Sequence, residues 1–100
     1  MNTGTIRHMA IFTLKHPEGS PAIEAFLQDG ERILSAIPSV RNFEVLRQIS
    51  VKCEFHYGFS MEFEDQAAYD AYNNHPSHQA FVSERWDTEV AKFQEIDLMK

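Results

Sequence analysis

The stretch AYDAYNNHPSHQAF, residues 68–81, holds His75 and His78, two of the chain's five histidines, with Tyr72 three residues before the first. An imidazole with an ordinary pKa of about 6.5 is largely neutral at pH 7 and can take a proton from a carbon beside a carbonyl. His78 is the candidate base. Tyr72 is the candidate donor to the enolate that forms. His8, arriving from an apolar segment near the start, is placed to orient His78 or to bind a substrate oxygen. The trio suits proton abstraction, aldol closure or isomerisation. The same residues also have structural uses. His75 can cap the helical turn that begins at Pro76, His78 can be a buried imidazole satisfied by a backbone carbonyl, and Tyr72 can be core with its hydroxyl at the rim. Both readings stand at this level. The i, i+3 spacing of the two histidines also fits a zinc-binding helix face. Pro76 interrupts that face, and no cysteine or HExxH pattern assists it, so no metal is expected.

The elements that must carry these side chains follow from periodicity. Residues Ile6–Leu14 read as a strand with Ile6, His8, Ala10, Phe12 and Leu14 on one face and Arg7, Met9, Ile11 and Thr13 on the other. Ser20 and Pro21 form a cap-and-first-turn pair. Ile23, Phe26, Leu27, Gly30, Leu34 and Ile37 then fall on one helical stripe that Pro38 ends. Gly30 costs this helix about 1 kcal/mol against alanine, which implies either close packing on a strand or space kept for a ligand; close packing is the reading preferred. Strands are expected over Val40–Ile49 and Phe55–Phe63, the latter with Phe55, Tyr57, Phe59, Met61 and Phe63 on one side. Asp65 caps a short helix through Tyr72, the His-Pro pair breaks it, and a further turn or two carries Phe81, Val82, Arg85 and Trp86. Packing and a surface ion pair account for Trp86 and Arg85. AKFQEIDLM is the last strand, with Phe93 opposite Ile96 and Leu98.

The order β-α-β-β-α-β is the split βαβ arrangement of the ferredoxin-like fold, an α+β architecture with a four-stranded antiparallel sheet and helices on one face. The opposite face has no cover within the chain. Met9, Ile11, Phe43, Val45 and Phe93 are expected there, a patch unusual for a monomer. At about 25 cal/mol per Å², burying several hundred Å² of it favours association by on the order of 10 kcal/mol before entropic costs. A homodimer pairing sheet against sheet is therefore expected.

Composition narrows the partners. One hundred residues make one domain, read here as 5–99 with residues 1–4 as a flexible end. The formal charge is −6, with lysine and arginine scattered singly, so neither nucleic acid nor an anionic membrane surface is an expected partner. No apolar run approaches the roughly 20 residues of a membrane span. The single cysteine, Cys53, has no partner for an internal disulfide, which fits a reducing cytoplasm. No signal peptide is read at the start.

With IRHMAIFTL near the start and HPSHQAF in the second half, residues 5–99 resemble the stress-responsive A/B barrel domain family. The resemblance implies a dimeric α+β barrel in which two four-stranded sheets close on each other. Its olivetolic acid cyclase-type members close a linear tetraketide by an aldol step. By position relative to the HPxH motif, their functional tyrosine and histidine match Tyr72 and His78, and their strand histidine matches His8. Their pocket lies between sheet and helices, and its lining here would draw on Ala10, Phe12, Phe26, Tyr57, Phe59 and Met61. Two positions depart from that pattern: Tyr57 replaces a histidine, and Gly30 a tyrosine. The resemblance implies no cofactor. It leaves three readings: a dimer that binds a small apolar or carbonyl ligand, with or without histidine-based cyclase, lyase or isomerase chemistry; a stress-protective dimer with no activity; and a cofactor-independent, monooxygenase-like barrel.

Overall fold

A computed structural model describes residues 4–100. The elements run β1 (Ile6–Leu14), α1 (Pro21–Ser35), β2 (Arg41–Arg47), β3 (Tyr57–Phe63), α2 (Gln66–Asn74), α3 (Pro76–Phe81), a π-helical turn (Val82–Trp86), α4 (Asp87–Glu89) and β4 (Val90–Met99). The strands form one antiparallel sheet in the order β2-β3-β1-β4, the ferredoxin-like arrangement. The helices lie against one face of it.

The alternation in β1 is complete: Ile6, His8, Ala10, Phe12 and Leu14 are buried and the residues between them are half-exposed. The α1 stripe Ile23, Phe26, Leu27, Gly30 and Leu34 is buried against the same face. Ser20 holds the N-cap position of α1 by its backbone, but its hydroxyl makes no cap bond. The Ile23 amide that it would serve already donates to the Ser20 carbonyl at 3.1 Å. Gly30 is a close-packing glycine. A Cβ there would stand 2.5 Å from Phe59 Cζ.

Asp65 caps α2 by accepting from the Ala68 amide at 2.9 Å. His75 leaves the helical region (φ −70°, ψ 135°), as a residue before proline tends to, and ends α2. Its Nδ1 accepts from the Ser77 amide at 3.1 Å, so the same side chain starts α3 with Pro76 at the first position. The first half of HPxH therefore has a complete account as a turn.

Three residues expected on the uncovered face lie on the helix-facing side of the sheet instead. Val45 pairs with Phe59, and Phe93 pairs with Phe12, so each shares its partner's covered face. Phe43 packs on Phe59 with ring centroids 5.3 Å apart. The open face carries Met9 and Ile11 of β1, Leu46 of β2, and Ile96 and Leu98 of β4, with Arg7 paired to Glu62 among them. Strand β2 stops at Arg47 and β3 starts at Tyr57, both inside the expected bounds. The connecting loop is held by Gln48, whose amide donates to the Cys53 and Phe55 carbonyls at 3.1 and 2.7 Å. Phe55 precedes β3 and does not share the Tyr57 face; its ring sits by Ile11 and Gln94, with Lys92 Nζ 5.9 Å from its centroid.

Of the expected free end, residues 1–3 lie outside the described residues. Gly4 adopts φ +71°, and a Cβ there would approach the Lys100 carbonyl to 2.9 Å, so both backbone and space require glycine. Among the described residues no helix is long and apolar enough to cross a membrane.

Candidate active site

A cavity of about 250 Å³ opens between the helical layer and the β4 side of the sheet. Strands β1 and β3 supply its floor through His8, Ala10, Phe59 and Met61. Tyr72 of α2, His78 and Phe81 of α3, and Val82 and Trp86 of the π-turn form the roof, and Phe93 and Glu95 of β4 form the open side. The turn at His75 explains how residues six apart in sequence meet here. It folds α3 back on α2, and the rings of Tyr72 and His78 come to 4.4 Å between centroids.

His78 Nδ1 lies 3.3 Å from the Asn73 carbonyl. A carbonyl only accepts, so the proton belongs on Nδ1, and Nε2 keeps its lone pair. Burial pushes the His78 pKa below the usual histidine value; the Asn73 bond opposes this and does not overcome it. The ring is therefore neutral at pH 7, the form a general base needs. Burial, reinforced by nearby Tyr69 and Glu95, drives the Tyr72 hydroxyl well above its ordinary range, so it remains a proton-bearing donor.

His8 is 4% exposed, its ring 6.1 Å from that of Tyr72. Its Nδ1 lies 2.6 Å from Asp97 Oδ1. Tyr69 donates to the same carboxylate at 2.9 Å. Asp97 thus accepts from both, holding the His8 proton on Nδ1 and turning Nε2 toward Glu95, 3.9 Å away. A carboxylate that fixes the tautomer and angle of an imidazole makes that ring a defined partner: with the proton on Nδ1, Nε2 of His8 is an acceptor for a ligand hydroxyl.

Of the residues expected at the site, His8, Ala10, Phe59, Met61, Tyr72 and His78 border this cavity. Phe12, Phe26 and Tyr57 do not. Phe12 and Phe26 are fully buried in the aromatic core, 5.7 Å apart. Tyr57 reaches the opposite end of the sheet, where its hydroxyl donates to Glu18 at 3.2 Å. Sequence reasoning overlooked Tyr69, Trp86, Glu95 and Asp97 as site groups. The signal for two of them was available: alternation in AKFQEIDLM puts Phe93, Glu95 and Asp97 on one face. Once Phe93 is assigned to the uncovered face, the two acids look merely solvated.

The family model for the stress-responsive A/B barrel domain matches residues 6–100. The chain is 58% identical to a solved Dabb family protein with a ferredoxin-like fold from Mesorhizobium loti, over 97% of each chain at a TM-score of 0.96. A dimeric ferredoxin-like protein of unknown function from Thermobifida fusca shares the fold at 18% identity, over 97% of this chain and 92% of its own, with a TM-score of 0.77. A hydroxynitrile lyase from Passiflora edulis does so at 14% identity, over 98% and 94%, with a TM-score of 0.81. No curated protein matches the sequence.

Proposed function

Since the chain belongs to the stress-responsive A/B barrel domain family, we propose that it acts as a homodimer in which each subunit holds a small, largely apolar carbonyl compound and moves a proton on it. The observation that carries the reading is the cavity wall where Tyr72 and His78 stand 4.4 Å apart, with His78 anchored through Nδ1 to Asn73. In this reading Phe59, Met61 and Phe81 take the apolar body, and Tyr72 donates to the carbonyl oxygen. Nε2 of His78 removes the proton from the adjacent carbon. Electron density then moves to the oxygen, where the Tyr72 hydrogen bond stabilises the enolate. His8, its Nδ1 proton held by Asp97, presents Nε2 as an acceptor for a hydroxyl elsewhere on the ligand. Return of the proton to carbon completes an exchange or isomerisation, and attack of the enolate on a second carbonyl would complete an aldol closure.

The dimer reading rests on the open face and on the loop beside it. Met9, Ile11, Ile96 and Leu98 form an apolar strip there, and Ile49 and Val51 in the β2–β3 loop are 92% and 100% exposed. An apolar surface of this kind is what association removes from water. Two neighbours with this fold and 18% identity are themselves described as dimeric.

The experiment is deuterium exchange at the carbon beside the carbonyl of acetophenone and 4-phenylbutan-2-one, followed by proton NMR in D₂O. The protein should accelerate the exchange, and His78→Ala should remove the acceleration while leaving the sedimentation of the dimer unchanged. Equal rates for the variant and the parent would eliminate His78 as the base. One observation favours a second reading, a dimer with no substrate: His75 and Pro76 are fully used by the turn between α2 and α3. Absence of both ketone binding and exchange would decide for it.

A further inference from the structure

We infer that the ligand of this cavity bears a protonated amine on its small apolar body. The inference rests on the reading that the cavity binds a small molecule, and it adds the ligand's charge. Among the described residues, Asp87 and Glu95 both line the cavity, and no lysine or arginine does. Asp97 stands directly behind His8. Even with a proton on each nitrogen of His8, Asp87 and Glu95 leave the cavity lining negative. The cations nearest in sequence are committed elsewhere. Arg85 Nε is 2.5 Å from Glu89 and its Nη1 is 2.6 Å from Asp29, and Lys92 pairs with Glu54 across the open face. His78, kept neutral by burial, adds no positive charge. A carboxylate or phosphate entering here would meet like charge with no donor cation to receive it.

The aromatic rim supplies the other half of the argument. Trp86 and Phe93 stand edge to face at 5.4 Å where the cavity meets solvent, and Phe93 is 50% exposed. Glu95 lies two residues along β4 on the same face, and Asp87 directly follows Trp86. Ring faces beside carboxylates are the surroundings in which an ammonium group loses little by leaving water. Deeper in, Leu34, Met61 and Phe81 offer only apolar contact. The cavity of about 250 Å³ corresponds to about eight waters at roughly 30 Å³ each. That is room for a single ring with a short chain. The chain's net charge of −6 adds a long-range field of the matching sign.

The test is isothermal titration of the full chain at pH 7 with three compounds of one skeleton: 4-phenylbutan-2-amine, 4-phenylbutan-2-one and 4-phenylbutanoate. The amine should bind at least tenfold more tightly than the ketone, and the carboxylate at least tenfold more weakly than the ketone. Raising the salt from about 0.05 to 0.5 M should narrow the amine–ketone gap, because screening weakens the charge term alone. Glu95→Gln, at a half-exposed position where folding is not at stake, should cut the amine-to-ketone ratio at least fivefold. Ketone or carboxylate binding as tightly as the amine overturns the inference and leaves the cavity reading intact. A ratio untouched by Glu95→Gln and by Asp87→Asn also overturns it. Binding of none of the three removes both.

Discussion

Replacing Gly30 with alanine sets two known effects against each other. Alanine in a helix interior is favoured over glycine by about 1 kcal/mol. The added methyl would stand 2.5 and 2.8 Å from two Phe59 ring carbons and 3.3 Å from Phe81 Cζ. Phe59 borders the cavity on one side and is packed on the others. It is 1% exposed, stacked on Phe26 at 6.1 Å, edge-on to Phe12 at 4.9 Å and tilted against Phe43 at 5.3 Å. Overpacking a filled core costs typically about 1–3 kcal/mol, and a contact this short belongs at the upper end. The steric cost exceeds the helix gain by about 1–2 kcal/mol. For a domain of this length each kcal/mol moves Tm by about 4–8 °C, so Gly30→Ala should lower Tm by roughly 5–15 °C. Scanning calorimetry at matched protein concentration measures this, concentration mattering because a dimer's Tm depends on it. A Phe59→Leu change in the same chain should recover part of the loss, since it removes the obstructing ring edge. A Tm equal to or above the parent's would show that Phe59 moves freely, and the close-packing account of Gly30 would be wrong.

Other consequences concern charge and association. Burial alone would raise the Glu89 pKa, but hydrogen bonds from Arg85 and His16 outweigh it and hold the carboxyl below its ordinary range. A folded pKa below the unfolded value of about 4.3 gives stability that is present above that pH and is lost as pH falls through the folded value. The parent's Tm should therefore fall more steeply than that of Glu89→Gln between about pH 5 and 3, and parallel curves would discount the cluster. For His78, burial lowers the pKa, so ketone exchange should keep half its maximum at a pH below about 6.5; an inflection above 7 would assign the base elsewhere. Ile96, which pairs with Met9 on the open face, should as Ile96→Lys raise the dimer dissociation constant at least tenfold in sedimentation equilibrium, with the far-ultraviolet circular dichroism unchanged. An unaltered constant would place the dimer contact on another surface.

Much of the architecture was legible because it is written in local signals. Period-two alternation marked β1 to the residue, and the 3.6-residue stripe from Ile23 to Ile37 marked α1. Proline and Asp65 marked where helices start and stop. The loop between β2 and β3 was read too short, because the Gln48 side chain that holds it bonds residues five and seven positions away and leaves no periodic trace. At the site, Tyr72 and His78 were visible because the turn between them is local. Asp97 was not, since its partner His8 lies 89 positions away. Trp86 looked like a packing residue, and it is one, against Phe12 at 4.9 Å; the π-turn that also brings it to the cavity rim has no pattern of its own in the sequence.

By itself the sequence determined which segments are strands and helices, the order that selects the ferredoxin-like fold, and the residues of HPxH that build a turn. Only the tertiary structure decided which face of β2 and β4 meets the helices. Alternation states that Phe93, Glu95 and Asp97 share a side. It does not state which side, and a slip of one residue in pairing with β1 would exchange the two. That choice is made by burial against α1, α3 and the π-turn, a sum over many distant contacts. It turned two apparently solvated acids into neighbours of a buried histidine.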